Sequence, residues 1–223
     1  MTAMVTPDES VSERLAVVRE HIEAVGRSDV TIVAVTKGFD RSAIDCARRL
    51  GLTDVGENYA QELLEKREAV ADAETLSVHF MGRLQRNKVR KIVDIVDVWH
   101  SVDRPELLRE IGKRTETGPT SPRVLIQVRP HDDTSKAGID PTSLPDMLAV
   151  ADEIGLPIAG LMTIGVLGDA EATRRAFDDV ARLADEFGLH ERSMGMSGDY
   201  RDALSTGATM LRLGSVLFGP RPE

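Results

Sequence analysis

The sequence predicts a single (β/α)8 barrel preceded by an extra N-terminal helix, and three observations support it. Short β-branched segments alternate with helical patterns eight times within about 200 residues, near the lower size limit of that fold. Aromatic residues make up only 4% of a chain that is 41% hydrophobic, so the buried surface is aliphatic, as suits parallel strands covered by helices. No G-x-G-x-x-G turn follows the first strand, which argues against an open doubly wound sheet.

The elements follow in order. Ser10 and Glu13 have capping-box spacing, Leu15, Val18, Ile22 and Val25 form an apolar stripe, and Gly26 offers a stop. Val30 to Thr36 reads as a buried strand, after which Asp40 caps a helix running to Leu50. Further strands are expected at Asp54 to Gly56, Ser77 to Met81, Asp97 to Val102, Arg123 to Val128, Ile158 to Met162, Ser193 to Met196 and Met210 to Leu213. The clearest later helices are Pro105 to Arg114, Pro141 to Ile154 and Glu171 to Phe187. The stretch from Gly118 to Pro122 reads as a loop rather than a linker, so residues 1–223 form one expected domain.

Composition excludes several classes of function. A net charge of −9 repels nucleic acid and anionic membranes. No apolar run approaches the roughly 20 residues that span a bilayer. The segment MTAMVTPDESVSERL lacks the basic flank and apolar centre of a signal peptide, and Cys46 has no second cysteine to pair with. A cytoplasmic monomer is the expectation. The five histidines show no metal spacing, and Asp132-Asp133 lacks the other ligands of a calcium site, so no metal is expected.

In a barrel, function gathers where strands end and the following loops begin. Lys37, Glu57-Asn58, Gly82-Arg83, His100-Ser101, Thr163, Ser197-Gly198 and Arg212 with Gly214-Ser215 occupy such positions. A lysine leaving a buried strand can lose hydration and present the free amine that forms Schiff bases; it can equally extend to solvent. Ser193 to Asp199 and Arg212 to Ser215 are small-residue junctions after the last two strands, where barrels commonly hold phosphate; ordinary glycine-rich turns are the alternative.

Seven motifs then narrow the choice. Ala34-Val35-Thr36-Lys37, Gly56-Glu57-Asn58-Tyr59, His79 to Lys88, Ser135-Lys136-Ala137-Gly138, Gly160-Leu161-Met162, Ser193 to Ser197, and Arg212 to Ser215 with Phe218-Gly219 occur in the order seen in the pyridoxal phosphate homeostasis proteins, the YggS group. The chain resembles that family from Val30 to Gly219. The resemblance implies a barrel of the alanine-racemase N-terminal type that binds pyridoxal 5′-phosphate (PLP). It implies that Lys37 forms the Schiff base, that Ser197, Gly214 and Ser215 hold the phosphate, and that Arg212 faces the pyridine nitrogen. Asn58, His79 and Met162 are expected to line the pocket.

A guanidinium only donates, so a ring nitrogen opposite Arg212 stays unprotonated and the ring is a poorer electron sink. The chain also ends soon after its last strand, and neither Tyr59 nor Tyr200 sits where a racemase places its second acid/base. The expected role is therefore storage, masking and delivery of PLP to apo-enzymes without efficient catalysis and with no catalytic residue assigned. The alternative is a racemase-like PLP enzyme. Arg83 to Lys91 carries five basic residues, with 83, 86, 87 and 90 on one expected helical face. A solvated face, or a positive rim attracting anionic PLP, is preferred there to RNA contact.

Overall fold

Eight parallel strands close into a ring in chain order, with β8 returning to β1. The computed structural model describes residues 7–71, 76–115, 122–130 and 136–220. The strands are β1 (Thr31–Val35), β2 (Asp54–Glu57), β3 (Ser77–Phe80), β4 (Val98–Val102), β5 (Arg123–Gln127), β6 (Ile158–Met162), β7 (Glu191–Ser193) and β8 (Met210–Leu213). The helices are α1 (Pro7–Ala24), α2 (Arg41–Arg49), α3 (Ala60–Glu65), α4 (Arg67–Ala71), α5 (Arg86–Ile92), α6 (Pro105–Thr115), α7 (Leu144–Glu153), α8 (Ala170–Glu186), α9 (Tyr200–Ser205) and α10 (Ser215–Phe218).

Local chemistry explains most boundaries. Asp40 accepts from the Ser42 N–H at 2.9 Å and so caps α2, as the sequence predicts. Helix α1 starts four residues earlier than its capping box suggests: Pro7 rather than Val11 opens it and Asp8 and Glu9 complement its N-terminal dipole, leaving Ser10 inside. Leu15, Val18 and Ile22 are buried as expected, but Val25 is 43% exposed because the helix has already ended.

The segment from Pro141 begins as a 3-10 turn over Pro141–Ser143 before α7. Pro145 has no N–H to give the Pro141 carbonyl, and the Leu144 N–H takes that acceptor instead, which tightens the turn. The seventh strand is Glu191–Ser193 rather than Ser193 to Met196. Gly195, at φ +92°, takes the chain out of the extended region, and a Cβ there would stand 2.6 Å from the Ala203 side chain. Gly118 to Ser121, His131, Asp132-Asp133 and Ser135 lie outside the described residues.

The main core fills the space between sheet and helices, with Phe80, Trp99, Ile111, Val124 and Phe177 at most 1% exposed. Inside the ring, Val33, Val35 and Met81 form one small apolar cluster and Leu125, Met162 and Met210 another. Other inward positions are polar. Helix α1 covers one side through Val11, Leu15 and Val18, and Arg14 donates to the Leu217 carbonyl of α10 at 3.0 Å.

Candidate functional site

A cavity of about 290 Å³ opens where the strands end. Val35, Phe39, Met81, Met162, Ile164 and Met196 give it apolar walls. Lys37, Asn58, Ser197, Arg212 and Ser215, with Gly198 and Gly214, supply its polar side.

Lys37 sits two residues beyond the end of β1, in a turn clamped from below. The Thr36 hydroxyl donates to Glu57 Oε1 at 2.6 Å, and Lys66 Nζ donates to that same oxygen at 2.7 Å and to the Thr36 carbonyl at 2.8 Å. The Gly38 N–H donates to Glu62 at 2.8 Å. Both neighbours of Lys37 are therefore fixed to β2 and α3. Lys66 is 6% exposed and Glu57 only 1%. Burial pushes the Glu57 carboxyl up, against the pull of Lys66 and Thr36.

Asn58 lies where the loops after β2 and β3 touch. A Cβ on Gly82 would stand 1.8 Å from the Asn58 carbonyl, so only glycine permits that approach. The Ser101 hydroxyl donates to the Gly82 carbonyl and holds the loop from its other side.

Ser197 and the start of α10 form one unit. Ser197 Oγ accepts from the Val216 N–H at 3.1 Å, which leaves its own proton able to donate into the cavity. Gly214 caps α10 with its backbone, and Ser215 is the first helical residue.

Arg212 is 5% exposed, and it donates to Ser193 Oγ and to the Thr163 carbonyl, each at 2.7 Å. Among the described residues no carboxylate lies within ion-pair distance of it. Burial lowers its pKa to about 10, with Asp199 opposing, so it remains charged at neutral pH. A buried cation held only by neutral acceptors is poorly explained as a structural ion pair, which makes Arg212 a candidate ligand-facing position.

His79 is placed elsewhere. It is fully buried inside the ring, where Nδ1 meets His100 at 2.7 Å and Nε2 meets Asp54 at 2.9 Å. The basic stretch forms a separate hollow of about 680 Å³ that shares Asn58 with the first cavity. Arg83 precedes α5, and Lys88 and Lys91 line this hollow with Tyr59 and Arg104, rather than Arg86 and Arg90.

The sequence pattern of the alanine racemase N-terminal domain matches residues 9–222. A Synechocystis protein named pyridoxal phosphate homeostasis protein is 38% identical over 200 residues, covering 86% of this chain and 92% of that one. A protein of the same name from Pseudomonas aeruginosa is 35% identical over 224 residues, covering 98% and 97%. The chain belongs to the pyridoxal phosphate homeostasis protein family. PipY of Synechococcus elongatus, solved without PLP, is 35% identical with a TM-score of 0.85 over 94% of this chain and all of that one. PipY with PLP bound gives 34% and a TM-score of 0.82. An alanine racemase of Clostridium difficile is 16% identical with a TM-score of 0.73, covering 96% of this chain and 57% of that one, which shows a shared barrel.

In this member of the pyridoxal phosphate homeostasis protein family, Lys37, Asn58, Met162, Ser197, Arg212, Gly214 and Ser215 meet at one cavity. The sequence reading did not single out Met81, Ile164, Met196 or the Glu57–Lys66 pair. Met81 had a usable signal, since it lies two residues beyond His79 and strand alternation sends both inward. Cys46 is buried and its thiol is pushed up to about 11, chiefly by burial, so it is unreactive. Among the described residues no cluster could hold a metal, and no helix is long and apolar enough to cross a membrane.

Proposed function

We propose that this protein binds PLP through a Schiff base on Lys37 and acts in PLP homeostasis, storing, masking and delivering the cofactor without efficient catalysis of its own. One observation carries this reading: the cavity joins an amine, a buried unpaired guanidinium and two serine hydroxyls, yet its described lining holds no Asp, Glu, His, Cys or Tyr. Its donors suit an anionic, ring-bearing aldehyde, and among the described lining residues none supplies the second acid/base that amino-acid racemization requires.

The residues fit the cofactor. Ser197, Ser215 and the backbone at Gly214 offer neutral donors to a phosphate, and Met81, Met162 and Val35 offer apolar surface to a flat ring. Arg212 would face the ring nitrogen as a donor and would keep its own proton there. When bound, PLP supplies an aldehyde; Lys37 contributes the amine that condenses with it and releases water.

The reading extends to one domain over residues 1–223, a cytoplasmic monomer, and hand-over to PLP-dependent apo-enzymes. The hollow with Arg83, Lys88 and Lys91 supports the approach of anionic PLP, as a positive rim beside the cavity in an otherwise acidic chain.

Two results test this. Ser197→Ala removes one hydrogen bond to a dianion, which costs about 1.5–3 kcal/mol, or about 10- to 150-fold in Kd by equilibrium dialysis. Unchanged retention counts against the phosphate site. The loaded protein, incubated with single L-amino acids, shows neither loss of chirality nor deuterium exchange at Cα at enzymatic rates. Turnover above about 1 s⁻¹ favours the racemase-like alternative, since ordinary enzymes work at or above that rate.

A further inference from the structure

A continuous polar chain runs through the barrel from the cavity toward the opposite end. Arg212 Nη1 donates to Ser193 Oγ at 2.7 Å, and Ser193 Oγ lies 2.8 Å from His100 Nδ1. His100 Nε2 lies 2.7 Å from His79 Nδ1, and His79 Nε2 lies 2.9 Å from Asp54 Oδ1. The five residues come from β8, β7, β4, β3 and β2. Ser193, His100 and His79 are fully buried, whereas Asp54 opens β2 at the N-terminal end of the barrel with its side chain 17% exposed.

The ends of this chain are chemically unlike. A guanidinium can only donate and a carboxylate can only accept. Burial alone would raise the Asp54 carboxyl, but hydrogen bonds from His79 and Thr53 hold it below the usual range, so it is ionised at neutral pH. Burial, with the nearby charges of His79, Arg212 and Arg123, holds His100 well below the ordinary histidine range, so it is neutral. With His100 neutral, one proton arrangement satisfies every link. His79 gives its Nε2–H to Asp54 and accepts at Nδ1; His100 gives its Nε2–H to His79 and accepts at Nδ1; Ser193 gives its proton to His100 and accepts from Arg212.

We propose that Asp54 is a positioning residue for Arg212, acting through His79, His100 and Ser193 by fixing the histidine tautomers and aiming the Ser193 lone pair at the guanidinium. This rests on Arg212 facing the bound cofactor, but the chain itself exists without it. Ring nitrogens oriented by a distant carboxylate follow the same logic as the outer partners of metal-bound histidines, whose loss costs about 10- to 100-fold in binding or activity.

The test begins on the full-length protein without PLP. Long-range proton–nitrogen NMR of histidine-labelled protein shows His79 and His100 both protonated at Nε2. Asp54→Asn replaces an obligate acceptor with a neutral amide that can donate as well as accept, so the Nε2–H form is no longer enforced and Nδ1-protonated rings gain population. PLP is then titrated by absorbance: Asp54→Asn weakens binding about 10-fold and shifts the visible band, while Asp54→Glu restores both. In a Ser193→Ala background, Asp54→Asn changes neither, because the link is already cut. Wild-type tautomers other than Nε2–H, or a folded Asp54→Asn with unchanged tautomers and band, overturn the proposal. So does an effect of Asp54→Asn that persists in full in Ser193→Ala. If wild-type protein binds no PLP while the tautomers are as stated, the cofactor reading fails and the chain stands.

Discussion

Replacing Lys37 with alanine abolishes the borohydride-fixed adduct that the wild-type protein forms with PLP. A Schiff base needs a primary amine at the aldehyde, and Lys37 is the lysine whose side chain lines the cavity. Lys66, the other lysine near that turn, is unavailable: it is 6% exposed and donates to Glu57 and the Thr36 carbonyl. Wild-type protein that is reduced and digested carries the modification on the peptide containing Lys37, and mass spectrometry of Lys37→Ala shows no adduct above background. The change leaves Ser197 and Ser215, the proposed phosphate donors, in place, so weak and reversible PLP binding is the expected remainder. Modification chiefly at Lys136 or Lys88 removes the assignment.

The second large effect concerns stability. Lys66→Met keeps the length of the side chain but leaves Glu57 buried with no cation, and breaking such a pair costs about 3–5 kcal/mol. Urea denaturation measures the loss as a fall in midpoint at constant slope. Its pH dependence has a definite sign. Without Lys66, Glu57 holds its proton in the folded variant to a pH above its unfolded value of about 4.3, so stability falls as pH rises through that window. The deficit therefore shrinks at low pH, where the carboxyl is protonated in both states. A deficit that is flat with pH, or below about 1 kcal/mol, shows that Glu57 does not rely on Lys66. Removing this clamp also frees the turn at Thr36, so loss of the Lys37 adduct accompanies it.

How much of this was legible in the sequence depends on the range of each signal. Strands and caps depend on neighbours a few residues apart, and the ring of eight, the cap at Asp40 and the burial of Leu15 and Val18 could be read directly. Strand ends were also readable, because polarity changes abruptly at Lys37, Asn58, Ser197 and Arg212, and a barrel brings such ends together. The family resemblance then gave those positions roles.

What stayed hidden depends on contacts without a periodic trace. Glu57 and Lys66 are nine residues apart across a strand-to-helix loop, and Lys66 ends a short amphipathic helix where solvent exposure is the ordinary expectation. His79 and His100 read as strand-end residues; the parity that turns them into the lumen emerges once register pairs β3 with β4. Strand β7 was misplaced because Ser193 to Met196 looks extended, whereas Gly195 bends the backbone.

The uncompensated charge of Arg212 has a consequence for the empty protein. A lone cation in a low-dielectric interior raises the free energy of the folded state, and a ligand that brings negative charge and hydrogen-bond acceptors into the cavity relieves that burden. Ligation and folding are then coupled equilibria: an occupant at 100 times its Kd deepens the folded minimum by about 2.7 kcal/mol. Molecules without an occupant unfold more often and meet proteases first, so the standing amount of such a protein follows the supply of what fills it.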